Sequence, residues 1–102
     1  MQLEVIRWTD AAAPDEATLR GRLERDGFDV FAWQDGAGAR YAPHHHDHDE
    51  SIWVVDGELT FGIDGCDLCL GPGDRLMLPA GTVHTALGGP TGTSYLIGQR
   101  RG

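Results

Sequence analysis

Residues 38–57, GARYAPHHHDHDESIWVVDG, gather four of the chain's five histidines and a glutamate between His44 and Glu50. Imidazole nitrogen together with carboxylate oxygen suits a divalent transition metal such as Fe, Mn, Ni, Cu or Zn. Spacing then sorts the histidines. On a strand from Arg40 to His46 side chains alternate, which puts His44 and His46 on one face and His45 on the other. Asp47, His48 and Asp49 are short and polar enough to form a bend, after which Glu50 opens an apolar run whose own face carries Ile52 and Val54. Glu50 can lean over the point where His44 and His46 converge. The fifth histidine, His84, lies in LPAGTVHTA, and two strands folded face to face would deliver it there. The candidate metal ligands are therefore His44, His46, Glu50 and His84. His45 and His48 are assigned to the solvated surface, with His48 the alternative ligand. A loosely chelating polar loop is the competing reading of the triple histidine, but it leaves the register of Glu50 and His84 to accident.

Working outward, Met1 to Trp8 alternates weakly and is read as an added edge strand or an arm. Pro14-Asp15-Glu16 opens a short helix, with acids at the positive dipole end, Leu19 and Leu23 at i and i+4, and Gly27 as the stop. Its leucines should pack it as a cover, leaving Arg20, Arg22, Glu24 and Arg25 solvated. From Phe28 the period changes to two, giving a strand to Trp33 and a turn over Asp35–Gly38. Beyond Gly57, Leu59, Phe61 and Ile63 alternate with Glu58, Thr60 and Gly62. Asp64-Gly65 is a two-residue hairpin signal leading into Cys66–Leu70. Gly71–Asp74 turns the chain into Arg75–Leu78, Pro79–Gly81 turns it again to present His84, and a last strand, Ser94–Gly98, follows a break at Gly88-Gly89-Pro90. The pattern is a meander of antiparallel strands. Cys66 and Cys69 have C-x-x-C spacing without a second pair. On a strand they face opposite ways, so Cys66 is expected in the core with Leu68 and Leu70, and Cys69 as a partly exposed free thiol.

The spacing Gly38, His44, His46, Glu50, Gly57 resembles the first cupin motif, G-x5-H-x-H-x3-E-x6-G, at every position. Gly73, Pro79, Gly81 and His84 resemble the second, G-x5-P-x-G-x2-H-x3-N, with Gly88 where asparagine is usual. The resemblance implies a small all-β protein, a cupin-type antiparallel β-barrel (jelly roll, double-stranded β-helix) with one short N-terminal helix, holding a metal inside on His44, His46, Glu50 and His84. The expected layout is one cupin domain over 1–102: an arm, helix and first strand in 1–37, motif 1 in 38–57 and motif 2 in 73–88.

With 102 residues the chain suits a single core. Its 15 glycines and 5 prolines suit many short strands. A formal charge of -8 argues against nucleic acid or an anionic membrane as partner and favours cation capture. No apolar run approaches the roughly 20 residues of a bilayer span, and the first residues lack a signal-peptide layout, so a cytoplasmic protein is expected. Four protein ligands on a six-coordinate metal leave two positions for water, dioxygen or substrate. The family resemblance implies a metalloenzyme of dioxygenase, isomerase or lyase type acting on a small carbonyl, phenolic or sugar-like molecule. The alternative is a non-catalytic metal- or small-molecule-binding module. Strand parity places Arg40 and Ala42 on the face of His44, and with Ile52 these form the expected substrate pocket. Tyr41, Tyr95, Arg40 and Arg75 look scattered and supply no second acid–base set. The N-terminal strand with Trp8, Phe31 and Trp33 gives material for a homodimer.

Overall fold

The computed structural model describes residues 1–100. In chain order these form β1 (Glu4–Ile6), α1 (Glu16–Arg25), β2 (Asp29–Asp35), β3 (Arg40–His44), β4 (Asp49–Ile63), β5 (Cys66–Leu70), β6 (Arg75–Leu78) and β7 (His84–Arg100). All strand pairs are antiparallel, in the order β1-β6-β4-β7-β2, with β3 beside β7 and β5 beside β4. The two long strands each serve twice. Residues Asp49–Gly57 of β4 pair with β6 and with Thr93–Arg100 of β7, whereas Leu59–Ile63 pair with β5 and with Thr85–Gly88. The sheet thus folds over on itself as a jelly roll, with the apolar faces of the two halves turned together.

The corners are made where a side chain would not fit. Gly57 has φ +77°, and a Cβ there would run into the carbonyl of Gly92, itself at φ +84°. The register shifts just before this corner, between Val54 and Asp56, where two residues of β4 advance against one of β7, and again between Gly57 and Leu59, so Glu50, Ile52 and Val54 share an inward face with Leu59, Phe61 and Ile63 despite the change of parity. Gly88-Gly89-Pro90 is therefore not the break expected. It lies within a continuous β7, because glycines let a long strand bend round a barrel corner without leaving the sheet. The Gly88 N–H donates to the Ala39 carbonyl at 2.8 Å, and a Cβ on Gly88 would come within 3.2 Å of the Gly36 carbonyl oxygen. Glycine rather than asparagine fits this contact.

The second core lies on the outer face of β4. Leu19 and Leu23 of α1 pack with Phe28, Trp53 and Leu96, each leucine contributing roughly 1.5–3 kcal/mol by leaving water. Asp15 caps the helix by accepting from the Thr18 N–H at 3.0 Å. Asp64 and Gly65, both at positive φ, make the β4–β5 hairpin. Cys66 departs from expectation: it is exposed, as is Cys69. Cys66 follows the hairpin on β5, an edge strand that among the described residues pairs with β4 alone. The burial of β5 is confined to Leu68 and Leu70.

Candidate metal centre

His44 ends β3 directly opposite His84 on β7, and the two ring centroids are 4.2 Å apart. The strand stops there, so His46 is carried by the segment leading into the bend at Asp47–His48 rather than by strand alternation. Two bonds fasten that segment to the turn before His84. The Gly81 N–H donates to the His46 carbonyl at 2.8 Å, and the Ala80 N–H donates to Asp49 Oδ1 at 2.9 Å. The His46 ring then lies 5.0 Å from His44 and 5.4 Å from His84. Glu50, 4% exposed, enters from the start of β4 with Oε1 3.6 Å from His46 Nε2.

Backbone carbonyls set the tautomers. His44 Nδ1 lies 2.7 Å from the Ala42 carbonyl oxygen, and His84 Nδ1 lies 2.9 Å from that of Thr82. A carbonyl only accepts, so Nδ1 must carry the proton and Nε2 offers its lone pair. Burial holds the His84 imidazole below its ordinary pKa, with the Thr82 carbonyl opposing and His44 and His46 adding to the depression. A neutral ring is the form that ligates a metal.

The donor set fits a cation. Ligand atoms of His44, His46 and His84 lie within 4.8 Å of one another, and so do those of His46, His48 and Glu50. Bonds of about 2.1 Å to one ion would separate neighbouring and opposite ligands by about 3 and 4.2 Å, so a small contraction closes the three imidazoles on one ion. His46, common to both groups, links the imidazoles to the carboxylate.

His48 is the residue that sequence reasoning misplaced. Its side chain is 17% exposed rather than solvated, and Nε2 meets Glu50 Oε2 at 3.0 Å. The bend at Asp47–His48 folds the ring back over Glu50, and a bend has no period from which direction can be read. Since the carboxylate accepts, His48 Nε2 carries a proton, unlike Nε2 of His44 and His84, and His48 Nδ1 in turn lies 3.4 Å from Asp47 Oδ1. Gln99, one residue past the expected last strand, also donates to Oε2, at 3.4 Å. The carboxylate is divided between the two sides: Oε2 is held by His48 and Gln99, while Oε1 faces His46. His45 is exposed.

Arg40 and Ala42 also differ from expectation. The β3–β7 register is irregular between Tyr41 and His44, which reverses parity. Tyr41 therefore joins His44 on the cavity, while Arg40 and Ala42 line an outer groove with Thr60, Gly62 and Thr85. Ile52 does line the cavity, which measures about 230 Å³ and has Phe61, Ala86, Tyr95 and Ile97 among its walls. Nor are the tyrosines scattered. Tyr41 and Tyr95 each donate to one oxygen of Asp35, both at 2.6 Å, and the Trp33 Nε1–H donates to the same carboxylate at 3.1 Å. The shared inward parity of Tyr95, Ile97 and Gln99 was the available sequence signal.

A family model described as "Cupin domain" matches residues 31–89, more than half of the chain, and includes all four candidate ligands. The chain belongs to the cupin family. Among curated proteins, this cupin is 37% identical over 59 residues to quercetin 2,3-dioxygenase of Bacillus subtilis (strain 168), a match covering 57% of the chain and 18% of that protein. It therefore spans less than a fifth of the relative's length. An RmlC-like cupin from Shewanella frigidimarina NCIMB 400 superposes with a TM-score of 0.65 at 27% identity, covering 74% of this chain and 67% of that one. KdgF from Halomonas sp. gives a TM-score of 0.60 at 28% identity, over 72% and 71% of the two chains. Among the described residues, no helix is long and apolar enough to cross a membrane.

Proposed function

We propose that this cupin is a metal-dependent enzyme acting on a small phenolic, carbonyl or sugar-like molecule, of dioxygenase, isomerase or lyase type; the similarity to quercetin 2,3-dioxygenase supports the first. The divalent transition metal would be held by His44, His46, Glu50 and His84. The observation carrying this reading is the convergence of three imidazoles and a buried carboxylate at an open apolar cavity, with two of the Nε2 lone pairs set free by backbone carbonyls.

When bound, the metal would supply Lewis acidity and a meeting point for dioxygen and substrate. The chain's own residues do the rest. Ala42 and Thr82 carbonyls orient two ligands, His48 and Gln99 hold the far oxygen of Glu50, and Ile52, Phe61 and Ile97 supply apolar walls for the substrate beside them. Elemental analysis of protein purified without added metal, beside a His46→Ala variant, tests the site: about one metal per wild-type chain and a marked loss in the variant are expected. Oxygen uptake with candidate phenols tests the reaction class. Saturable binding without turnover under any metal or atmosphere would replace the enzyme by a binding module.

A homodimer is part of the same proposal. The edge strand β2 exposes Phe31 and Trp33, 51% and 50% accessible, which a second copy could cover. Sedimentation showing a monomer at micromolar concentration would remove it.

A further inference from the structure

Along the second half of β7, Thr93–Arg100, the residues lining the cavity are Gln99, Ile97 and Tyr95. Gln99 reaches Glu50 at the metal end, and Tyr95 stands four residues away, about 13 Å along the strand. Tyr95 pairs in register with Trp33 of β2, and both line the cavity together with Tyr41. This second end of the cavity is organised by Asp35, which is not itself among the lining residues. Asp35 Oδ2 accepts from Tyr95, and Oδ1 accepts from Tyr41 and from the Trp33 indole, whose N–H also lies 3.3 Å from the Tyr41 oxygen.

A carboxylate can only accept, so every polar hydrogen of the three aromatic residues is drawn toward Asp35. What remains for the cavity are phenol lone pairs. Among the described residues no guanidinium lines the cavity, and Arg40 faces the outer groove. A ligand carboxylate at this end would meet lone pairs and a nearby carboxylate, with no donor or cation to receive it. A ligand hydroxyl would find an acceptor already oriented.

We infer that Asp35, acting through Tyr41 and Tyr95, makes the cavity selective for molecules that carry a neutral hydrogen-bond donor at the end remote from the metal. The class is a small molecule with metal-facing oxygens at one end and a hydroxyl or amide N–H at the other. This rests on the proposed metal site holding the first end. Asp35 is a positioning residue, since it fixes the direction of hydrogen bonds that the tyrosines make.

The test uses metal-loaded protein and three catechols that differ only at C4: hydroxymethyl, methoxymethyl and carboxylate. Titration calorimetry should show the hydroxymethyl compound binding at least about tenfold more tightly than either of the others. In Asp35→Asn the amide N–H donates back to one phenol and frees its proton. The preference should then fall to within about threefold while metal content stays that of wild type. Tyr41→Phe removes one acceptor at the more exposed side of the rim, should also weaken the preference, and carries the test if Asp35→Asn does not fold. A purely structural role for Asp35 would lower all three affinities together and leave their ratio unchanged. Equal affinities in the wild type, tighter binding of the carboxylate, or the same ratio in both variants overturns the inference. Binding that needs metal but ignores the C4 group defeats this inference alone. Binding that survives metal removal with the C4 preference intact defeats the metal-site reading instead and leaves the role of Asp35 standing.

Discussion

The two faces of β4 bury one charged residue each, and they surround it differently. On the outer face Arg75, 6% exposed and paired in register with Trp53, donates to Ser51 Oγ at 2.7 Å and to Asp26 at 3.1 Å. Its guanidinium carbon lies 4.6 Å from the Trp53 ring centroid. Burial lowers its pKa, the contact with Asp26 works against that, and the packing around the charge is closed. On the inner face Glu50 is as deeply buried. One of its oxygens is held by His48 and Gln99, but the other lies 3.6 Å from His46 Nε2, in the cavity where His44 and His84 keep their Nε2 lone pairs free. A buried charge finished by the protein is structural. A buried carboxylate facing further electron pairs is arranged for a cation.

The comparison can be broken by exchanging the consequences of mutation. Trp53→Ala on the outer face should cost about 3–5 kcal/mol, since it opens a cavity under α1 and removes the Nε1–H bond to the Gly73 carbonyl at 2.8 Å. Urea unfolding measures this, and the metal content of the protein still folded should match wild type. Glu50→Gln on the inner face should do the reverse. Metal affinity is expected to fall about 100-fold, while the unfolding midpoint of metal-free protein moves little, because a buried charge has also been removed. A metal-free Glu50→Gln protein that unfolds as readily as Trp53→Ala would mean that the carboxylate is a structural group like Arg75.

A smaller effect separates ligand from support within the inner face. His48→Ala should weaken metal binding about tenfold, whereas His48→Gln, whose amide N–H can still donate to Glu50 Oε2, should recover most of the loss. X-ray absorption of the loaded protein should count the same number of imidazoles in both variants as in wild type. One imidazole fewer would make His48 a ligand.

What the sequence made legible follows from period and register. Glu50, Ile52 and Val54, then Leu59, Phe61 and Ile63, announce their faces by alternation, and Leu19 with Leu23 announces the helix cover. Alternation failed where the ladder does. One irregularity between Tyr41 and His44 sent Arg40 and Ala42 outward and brought Tyr41 in. The bend at Asp47–His48 has no repeat from which the direction of His48 could be inferred. Gly88-Gly89-Pro90 reads as a break because glycine marks a chain end and a barrel corner by the same freedom, and only the pairing of β7 with β4 on both sides of it, at Thr85–Gly88 and Thr93–Arg100, distinguishes them. The Asp35 cluster was hidden for a further reason: its members come from β2, β3 and β7, and no local pattern records a meeting of three strands.

That cluster gives the last contrast, between the metal end of the inner face and its aromatic rim. Burial raises the pKa of Tyr95 far above the usual phenol value, the bond to Asp35 adds to it, and Tyr41 is raised mainly by its own bond to Asp35. Because the folded state keeps these protons while the unfolded chain releases them near pH 10, the folded state binds more protons above that pH, and stability must fall as pH rises. Below the unfolded value both states are protonated and the effect is absent. Tyr95→Phe has no such proton to retain. The stability gap between wild type and Tyr95→Phe should therefore narrow by about 1 kcal/mol between pH 9 and pH 11, with a residual slope in the variant from Tyr41. Urea unfolding of both proteins across that range measures it. A constant gap would mean that Tyr95 ionises as freely folded as unfolded, and the rim would then be an open, hydrated surface, not one whose hydroxyl protons are committed to Asp35.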